Sequence, residues 1–315
     1  MNKLKVCFIG IGSIAKRHIK NLNELCEEKK IRLQIDALRS SRRSLEEDIR
    51  DYITKEYYSY SELPSDYDVF FITNPTEFHI ESLSAVHEKA RDFFIEKPIT
   101  SYEKLRSVLD IPYRNDSLYY VACPLRYTNV IRYMKNHLDI TDVLAVRCIS
   151  SSYLPDWRPG TDYRNTYSAH KNLGGGVGID LIHEWDYIHY LFNNPEKIIS
   201  IYGKKSNLEI DSDDFALYIA EYPHMTVELH LDYYGRKALR EMMVFTNHET
   251  IRADLISNRI EYLVSGKVID LSEERNDFYK KEMLQFLECL DSRAKSNNSV
   301  EDAYHILNLT RGEIE

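Results

Sequence analysis

Lys3-Leu4-Lys5-Val6-Cys7-Phe8-Ile9-Gly10-Ile11-Gly12-Ser13-Ile14-Ala15 is the stretch that decides the fold. Residues 3–9 form a short apolar-rich strand that ends at Gly10. From about Ser13, Ile14, His18, Leu22 and Leu25 repeat along one helical face. A G-x-G-x-x-A turn therefore joins a strand to a helix. Its glycines permit a tight turn and close backbone approach to a pyrophosphate at the helix N-terminus, and Ala15 still allows the helix to pack closely on the strand. Gly10, Gly12, Ser13, Ile14 and Ala15 are accordingly candidate cofactor-binding residues; an ordinary strand–turn–helix connection is the alternative.

Outward from that turn, residues 32–38 alternate as a second strand. Asp68-Val69-Phe70-Phe71-Ile72-Thr73 is a continuous apolar strand of the kind buried on both faces of a parallel sheet. A helix is expected over 77–89, then another buried strand over 92–95. Strand and helix alternating at this spacing predict a doubly wound α/β domain. Near residue 122 the pattern changes. A helix (127–138), a strand (142–151), a polar aromatic loop (152–172) and a helix (178–193) precede alternating segments between 197 and 271, among them 215–222 and 226–234. These predict a mostly antiparallel sheet with one face covered by helices. Two helices, 275–295 and 299–313, close the chain. The expected division is 1–122 and 123–315, in line with roughly 150 residues per domain over 315 residues.

Composition narrows the partners. A net charge of −9 disfavours nucleic acid or an anionic membrane. No apolar run approaches the roughly 20 residues of a membrane span, and the run after Lys5 is too short for a secretory signal. The five cysteines are scattered without a C-x-x-C pair, which suits a reducing cytoplasm. Metal-ligand spacing is absent too: after His183-Glu184 the next histidine, His189, stands six residues from His183, not the four of a zincin, so no metal is expected.

Four further places carry chemistry. At the end of strand two, Asp36 is an acid for a ribose 2′-hydroxyl, but Ala37 and Leu38 continue the strand beyond it. Arg39-Ser40-Ser41-Arg42-Arg43 then forms its tip, and Arg39, Ser40 and Arg42 favour a 2′-phosphate, hence NADP over NAD. Thr73-Asn74-Pro75-Thr76, with His79, follows the buried strand. Pro75 and a capping Thr76 have a purely structural reading, but Asn74, Pro75 and His79 also lie at the carboxyl edge where a nucleotide would sit. Glu96-Lys97-Pro98 follows the next strand; Glu96 joins the cofactor candidates, and Lys97 can reach a substrate hydroxyl. Finally, Gly174-Gly175-Gly176 leads to Asp180 and His183, three apart on the expected helix, a carboxylate beside a proton carrier.

Taken in order, Phe8 to His18, Asn74-Pro75-Thr76 with His79, Glu96-Lys97-Pro98 and the glycine run with Asp180 and His183 resemble the glucose–fructose oxidoreductase / inositol dehydrogenase (Gfo/Idh/MocA) family over essentially the whole chain. The resemblance implies an N-terminal Rossmann domain, a C-terminal α+β domain with a large open sheet, and NAD(P)-dependent hydride exchange with a sugar or cyclitol. It implies Lys97, Asp180 and His183 as the catalytic group. The Asp–His spacing of three departs from the usual four. The stretch Tyr153 to Arg164 resembles a sub-branch associated with bacterial surface-polysaccharide sugars. There Trp157 offers a face to a sugar ring, Arg158 and Arg164 a grip on an acidic group, and Asp162, Tyr163 and Arg126 further polar contacts. A homodimer or homotetramer through the C-terminal sheet is expected. The other functional readings are a non-catalytic nucleotide- and sugar-binding regulator and an NAD-assisted lyase or glycosidase.

Overall fold

The computed structural model describes residues 1–296 and 298–314. In chain order the first elements are β1 (Lys3–Ile9), α1 (Ser13–Glu28), β2 (Arg32–Leu38), α2 (Glu47–Arg50), β3 (Ile53–Tyr57), β4 (Tyr67–Ile72), α3 (His79–Val86), β5 (Ala90–Ile95) and β6 (Tyr119–Val121). Next come α4 (Asn129–His137), β7 (Val143–Tyr153), α5 (Val177–Asp180), α6 (Ile182–Phe192), β8 (Lys197–Gly203), β9 (Phe215–Glu221) and β10 (Thr226–Asp232). The last are β11 (Tyr234–Thr246), β12 (Thr250–Asp254), β13 (Arg259–Tyr262), β14 (Val268–Asp270), α7 (Asp277–Ser292) and α8 (Val300–Leu309). They form two compact units, one of Met1–Pro124 with Asn276–Tyr304, the other of Leu125–Arg275 with His305 onward.

The first unit is built on a parallel sheet in the order β3-β2-β1-β4-β5-β6. The order reverses at β1, so β1 and β4 flank the switch point where doubly wound sheets bind ligands. The Phe-Phe pairs of β4 and β5 explain why these strands are buried on both sides. On one face Phe8, Phe71, Phe94 and Tyr120 are register neighbours whose rings stack across the sheet at 4.3, 5.1 and 5.3 Å. On the other, Phe70, Phe93 and Tyr119 form a second row. Phe286 of α7 sets its ring edge-on against Phe71, Phe94 and Tyr120.

The expected division counts 275–295 with the second domain; the structure places Asn276–Tyr304 in the first unit, because side chains tie this helix there. Asn21 and Asn276 exchange amide hydrogen bonds (3.3 and 2.8 Å), Lys280 pairs with Glu24, and buried Glu282 accepts the Cys123 N–H at 2.5 Å. The helix expected over 77–89 is shorter, because a 3₁₀ turn at Thr76–Phe78 precedes it; Thr76 opens that turn and does not cap the helix.

The second unit carries an eight-stranded sheet ordered β14-β13-β12-β11-β7-β10-β9-β8, antiparallel except between β7 and β10. One face is buried, with Val146, Cys148, Leu229, Leu231, Met242 and Val244 inside and Trp185 of α6 edge-on to Tyr218. The other face presents Ile149, Leu217, Ile219, Met243 and Phe245 among Arg147, Glu228, Glu241 and Arg252 around a concavity of about 550 Å³. The helix expected over 178–193 breaks at Leu181 (φ −97°, ψ 30°), giving α5 and α6. Each piece answers to its own contacts. Val177 N–H donates to the Asp213 carbonyl at the start of α5, while Glu184 and Asp186 of α6 pair with Arg240 and Arg126.

Truncating Phe286 removes the ring that closes three aromatic contacts in a fully buried site. Phe286→Ala is expected to cost the first unit about 3–5 kcal/mol, read as a lowered urea midpoint.

Candidate active site

The turn after β1 is shaped by its neighbours. Gly10 has φ +85°, and a Cβ there would lie 2.8 Å from the Asn74 Cα, so only glycine fits. Thr73 fastens the two turns, its Oγ1 donating to the carbonyls of Ile9 (3.0 Å) and Gly10 (2.8 Å). Beyond it, a Cβ at Gly12 would meet nothing within 4 Å. Gly12 is the N-cap of α1, no side chain caps its N–H groups, and no acid lies in the first turn. Open space over an uncapped, acid-free helix N-terminus fits the pyrophosphate of a dinucleotide. Gly12, Ser13, Ile14 and Ala15 would hold it there.

β2 ends at Leu38. Asp36 is buried and accepts the Tyr67 hydroxyl at 2.7 Å, which ties it to the sheet interior. Arg39 follows, its guanidinium ion-paired with Glu56 of β3 and donating to the Arg43 carbonyl at 2.5 Å. Ser40 and Arg42 are exposed, and Arg42 lies over the Tyr58 ring at 4.3 Å.

A buried polar cluster surrounds the Glu96-Lys97-Pro98 turn. His18, on the inner face of α1, meets Glu96 through Nε2 at 2.5 Å. The ring nitrogens of buried His79 face two carbonyls, Asn74 (2.8 Å) and Pro98 (3.0 Å), so one side chain spans the turns after β4 and β5. Burial pushes the His79 imidazole down in pKa, despite Glu96 nearby. Burial raises the Glu96 carboxyl, but the His18 bond and the charges of His18, Lys97 and His79 outweigh it, and Glu96 sits below its usual 4.5. Lys97 itself is half-buried, fixed in the chain between Glu96 and Pro98. His18 escapes assignment from sequence because it shares the apolar face of α1; its partner is visible only in three dimensions.

In the second unit, Asp180 ends α5 and His183 lies in the first turn of α6, so the expected common helical face is replaced by a break between them. Ahead of α5, Gly175 lies against the 167–170 backbone, where a Cβ would fall 2.2 Å from the Tyr167 carbonyl oxygen. The Tyr233 hydroxyl donates to Asp180 at 2.6 Å, and Tyr167 bonds the same carboxylate; burial and that carboxylate hold both phenols well above their ordinary pKa. Trp157 packs edge-on to Tyr233 at 5.2 Å and donates its indole N–H to Ser152. Arg158 lies over the Tyr167 ring at 5.3 Å. Trp157 and Arg158 thus gather around the two tyrosines that hold Asp180. Nothing singles out Tyr167 and Tyr233 among 24 tyrosines in the sequence.

The remaining candidates are tied elsewhere. Arg126 is buried and bidentate to Asp186 (3.0 and 2.8 Å). Arg164 is exposed and shared between Asp162 and Glu209. The Tyr163 hydroxyl accepts the Glu209 N–H.

Residues 4–123 match the GFO_IDH_MocA family, described as an oxidoreductase family with an NAD-binding Rossmann fold. Over those residues the chain is similar to the Gfo/Idh/MocA family. The resemblance read from the motifs and the expected fold class are borne out. No curated protein sequence matches the chain. Solved structures share the fold across nearly its whole length. Levoglucosan dehydrogenase in complex with NADH has a TM-score of 0.85 at 14% identity, over 99% of this chain and 96% of that one. UDP-N-acetylglucosamine 3-dehydrogenase GnnA from Acidithiobacillus ferrooxidans has 0.78 at 16%, over 99% and 96%. Myo-inositol 2-dehydrogenase from Lactobacillus plantarum has 0.76 at 17%, over 98% and 96%. At these identities the likeness shows the fold alone. Among the described residues, no helix is long and apolar enough to cross a membrane.

Because Glu96 is acidified in the folded state, it contributes stability above about pH 4.5 that is lost as pH falls through its lowered pKa. Glu96→Gln lacks that contribution. The gap in unfolding free energy between wild type and Glu96→Gln is therefore expected to shrink from about pH 6 to about pH 3, measured by urea denaturation at each pH.

Proposed function

We propose that this protein is an NAD(P)-dependent dehydrogenase that transfers hydride between a nicotinamide dinucleotide and a hydroxyl-bearing carbon of a sugar, cyclitol or sugar derivative. The observation that carries the reading is the setting of Lys97. It follows β5 on the carboxyl edge of the sheet, braced through Glu96 by His18 and through Pro98 by His79, in a unit whose α1 N-terminus suits a pyrophosphate. The structurally similar dehydrogenases named above support the substrate class. In domain terms, the first unit binds the dinucleotide and the second binds substrate and mediates assembly.

Bound at the edge of the first unit, the nicotinamide supplies a hydride acceptor or donor. His183 takes the proton from the substrate hydroxyl during oxidation and returns it during reduction. Lys97, cationic, stabilises the alkoxide as it develops; a charge already held in place needs no reorganisation at that moment. Asp180, its carboxylate steadied by Tyr233 and Tyr167, orients His183 or accepts a neighbouring hydroxyl. Asp162 and Arg126 serve internal ion pairs, as does Arg164, which leaves Arg158 beside Tyr167 as the arginine best placed to favour an acidic or nucleotide-linked sugar, such as those of surface polysaccharides. The five buried cysteines form no disulfide among the described residues and suit a cytoplasmic setting.

The finer choice of dinucleotide rests on the tip of β2. Exposed Ser40 and Arg42 support NADP(H); the engagement of Arg39 by Glu56 supports NAD(H).

Lys97→Ala and His183→Ala are each expected to lower kcat at least about a hundredfold in a screen of sugars and cyclitols followed by NAD(P)H absorbance. Near-normal turnover in both variants would sink the scheme. Dinucleotide binding without turnover of any substrate would favour a regulator.

The exposed sheet face of the second unit, where Ile199, Ile201 and Ile219 are 54%, 60% and 55% exposed, supports a homodimer or homotetramer. Light scattering at micromolar concentration is expected to give at least a dimer, and Ile219→Arg to shift it toward monomer. A monomeric wild type contradicts this assembly.

A further inference from the structure

We infer that Glu56, a residue outside the Rossmann turn motif, sets the choice between a 2′-hydroxyl and a 2′-phosphate on the adenosine ribose; the inference rests on the dinucleotide reading above. In this fold the group just past the second strand meets that ribose. Here it is Arg39, and a count of arginines at the tip of β2 favours the phosphate. The tertiary structure spends that charge first. β3 lies parallel to β2, with Ala37 opposite Glu56 and the Arg39 N–H donating to the Tyr57 carbonyl at 2.9 Å. This register brings the Glu56 carboxylate onto the Arg39 guanidinium.

The pair is held from several sides. Glu56 also accepts the Tyr58 hydroxyl at 3.2 Å, and Arg39 donates through its other terminal nitrogen to the Arg43 carbonyl at 2.5 Å. The Arg39 side chain is 11% exposed and that of Glu56 is 32% exposed, so the carboxylate is the more accessible partner. The other charges near this edge are engaged differently. Arg42 lies on the Tyr58 ring, Lys55 over the Tyr57 ring, Glu62 accepts the Tyr58 N–H, and Glu46 pairs with Lys16; Arg43 is exposed.

A 2′-phosphate at this tip approaches Arg39 only beside a carboxylate of its own sign, or by taking Glu56's place on the guanidinium. A 2′-hydroxyl is a neutral donor, and an accessible carboxylate accepts it. The Arg39–Glu56 pair therefore favours NAD(H), and removing the carboxylate leaves Arg39, with Ser40 and Arg42 exposed nearby, for a phosphate.

The test is calorimetric titration of NADH and NADPH into the wild type, Glu56→Gln and Glu56→Gln/Arg39→Ala. The wild type is expected to bind NADH more tightly than NADPH. Glu56→Gln is expected to raise the ratio of NADPH to NADH affinity at least about tenfold, and the double variant to lose that gain. The gain is also expected to shrink in high salt, as a charge effect at a partly exposed site must. Glu56→Ala repeats the measurement if Glu56→Gln does not fold, as judged by thermal melting. An unchanged ratio, with both dinucleotides still bound, overturns the role of Glu56 and leaves the dinucleotide reading standing. A wild type that prefers NADPH also overturns it. Binding of neither dinucleotide to the wild type removes the dinucleotide reading, and this inference with it.

Discussion

The turn after β1 and the turn after β4 lie so close that a single hydrogen is all the space between them admits: a Cβ on Gly10 would sit 2.8 Å from the Asn74 Cα. Much of the first unit's candidate site follows from that approach. It lets Thr73 bond both the Ile9 and Gly10 carbonyls and leaves the start of α1 with open space above Gly12. It also places Asn74 where its carbonyl meets His79, whose other nitrogen reaches Pro98 beyond Lys97. A side chain at position 10 would spread the two turns, and the helix dipole and the lysine turn would lose their common frame.

Charge pairing has opposite consequences in different parts of the chain. Around Lys97, the buried groups brace one another: Glu96 stays ionised because His18 bonds it, and the desolvation cost that would neutralise an isolated carboxyl is offset. The arginines show the reverse. Arg164 and Arg39 each carry a positive charge that sequence reading offers to an anionic ligand, and Arg126 a polar contact, yet the pair Asp162 and Glu209, Glu56 and Asp186 respectively already accept their hydrogen bonds. A guanidinium satisfies its donors with the first carboxylates the fold supplies, and these come from positions 17 to 60 residues away or from the next turn.

Much of the Rossmann unit was legible, because each of its signals is local. A strand, two glycines and a helix in succession specify a turn; Phe-Phe pairs in apolar runs specify strands buried on both faces, and the aromatic rows across β1, β4, β5 and β6 follow from register. The Asp180–His183 pair was misread as one helical face because periodicity cannot register the break at Leu181, which serves tertiary contacts on either side of it. Tyr167 and Tyr233 were missed for a related reason: their importance lies in a shared carboxylate, not in any pattern along the chain.

By itself, then, and apart from the short strands β3 and β6, which carry no pattern of their own, the sequence determined the succession β1, α1, β2, β4, α3 and β5, the glycine turn and the identity of the polar residues at strand ends. All of these depend on residues within a few positions of one another. Only the tertiary structure decided that α7 completes the aromatic core of the first unit through Phe286, that α5 and α6 are separate pieces, and which charges remain available for a ligand. Those outcomes depend on strand register and side-chain packing between distant segments, where a shift of one residue exchanges one partner for another.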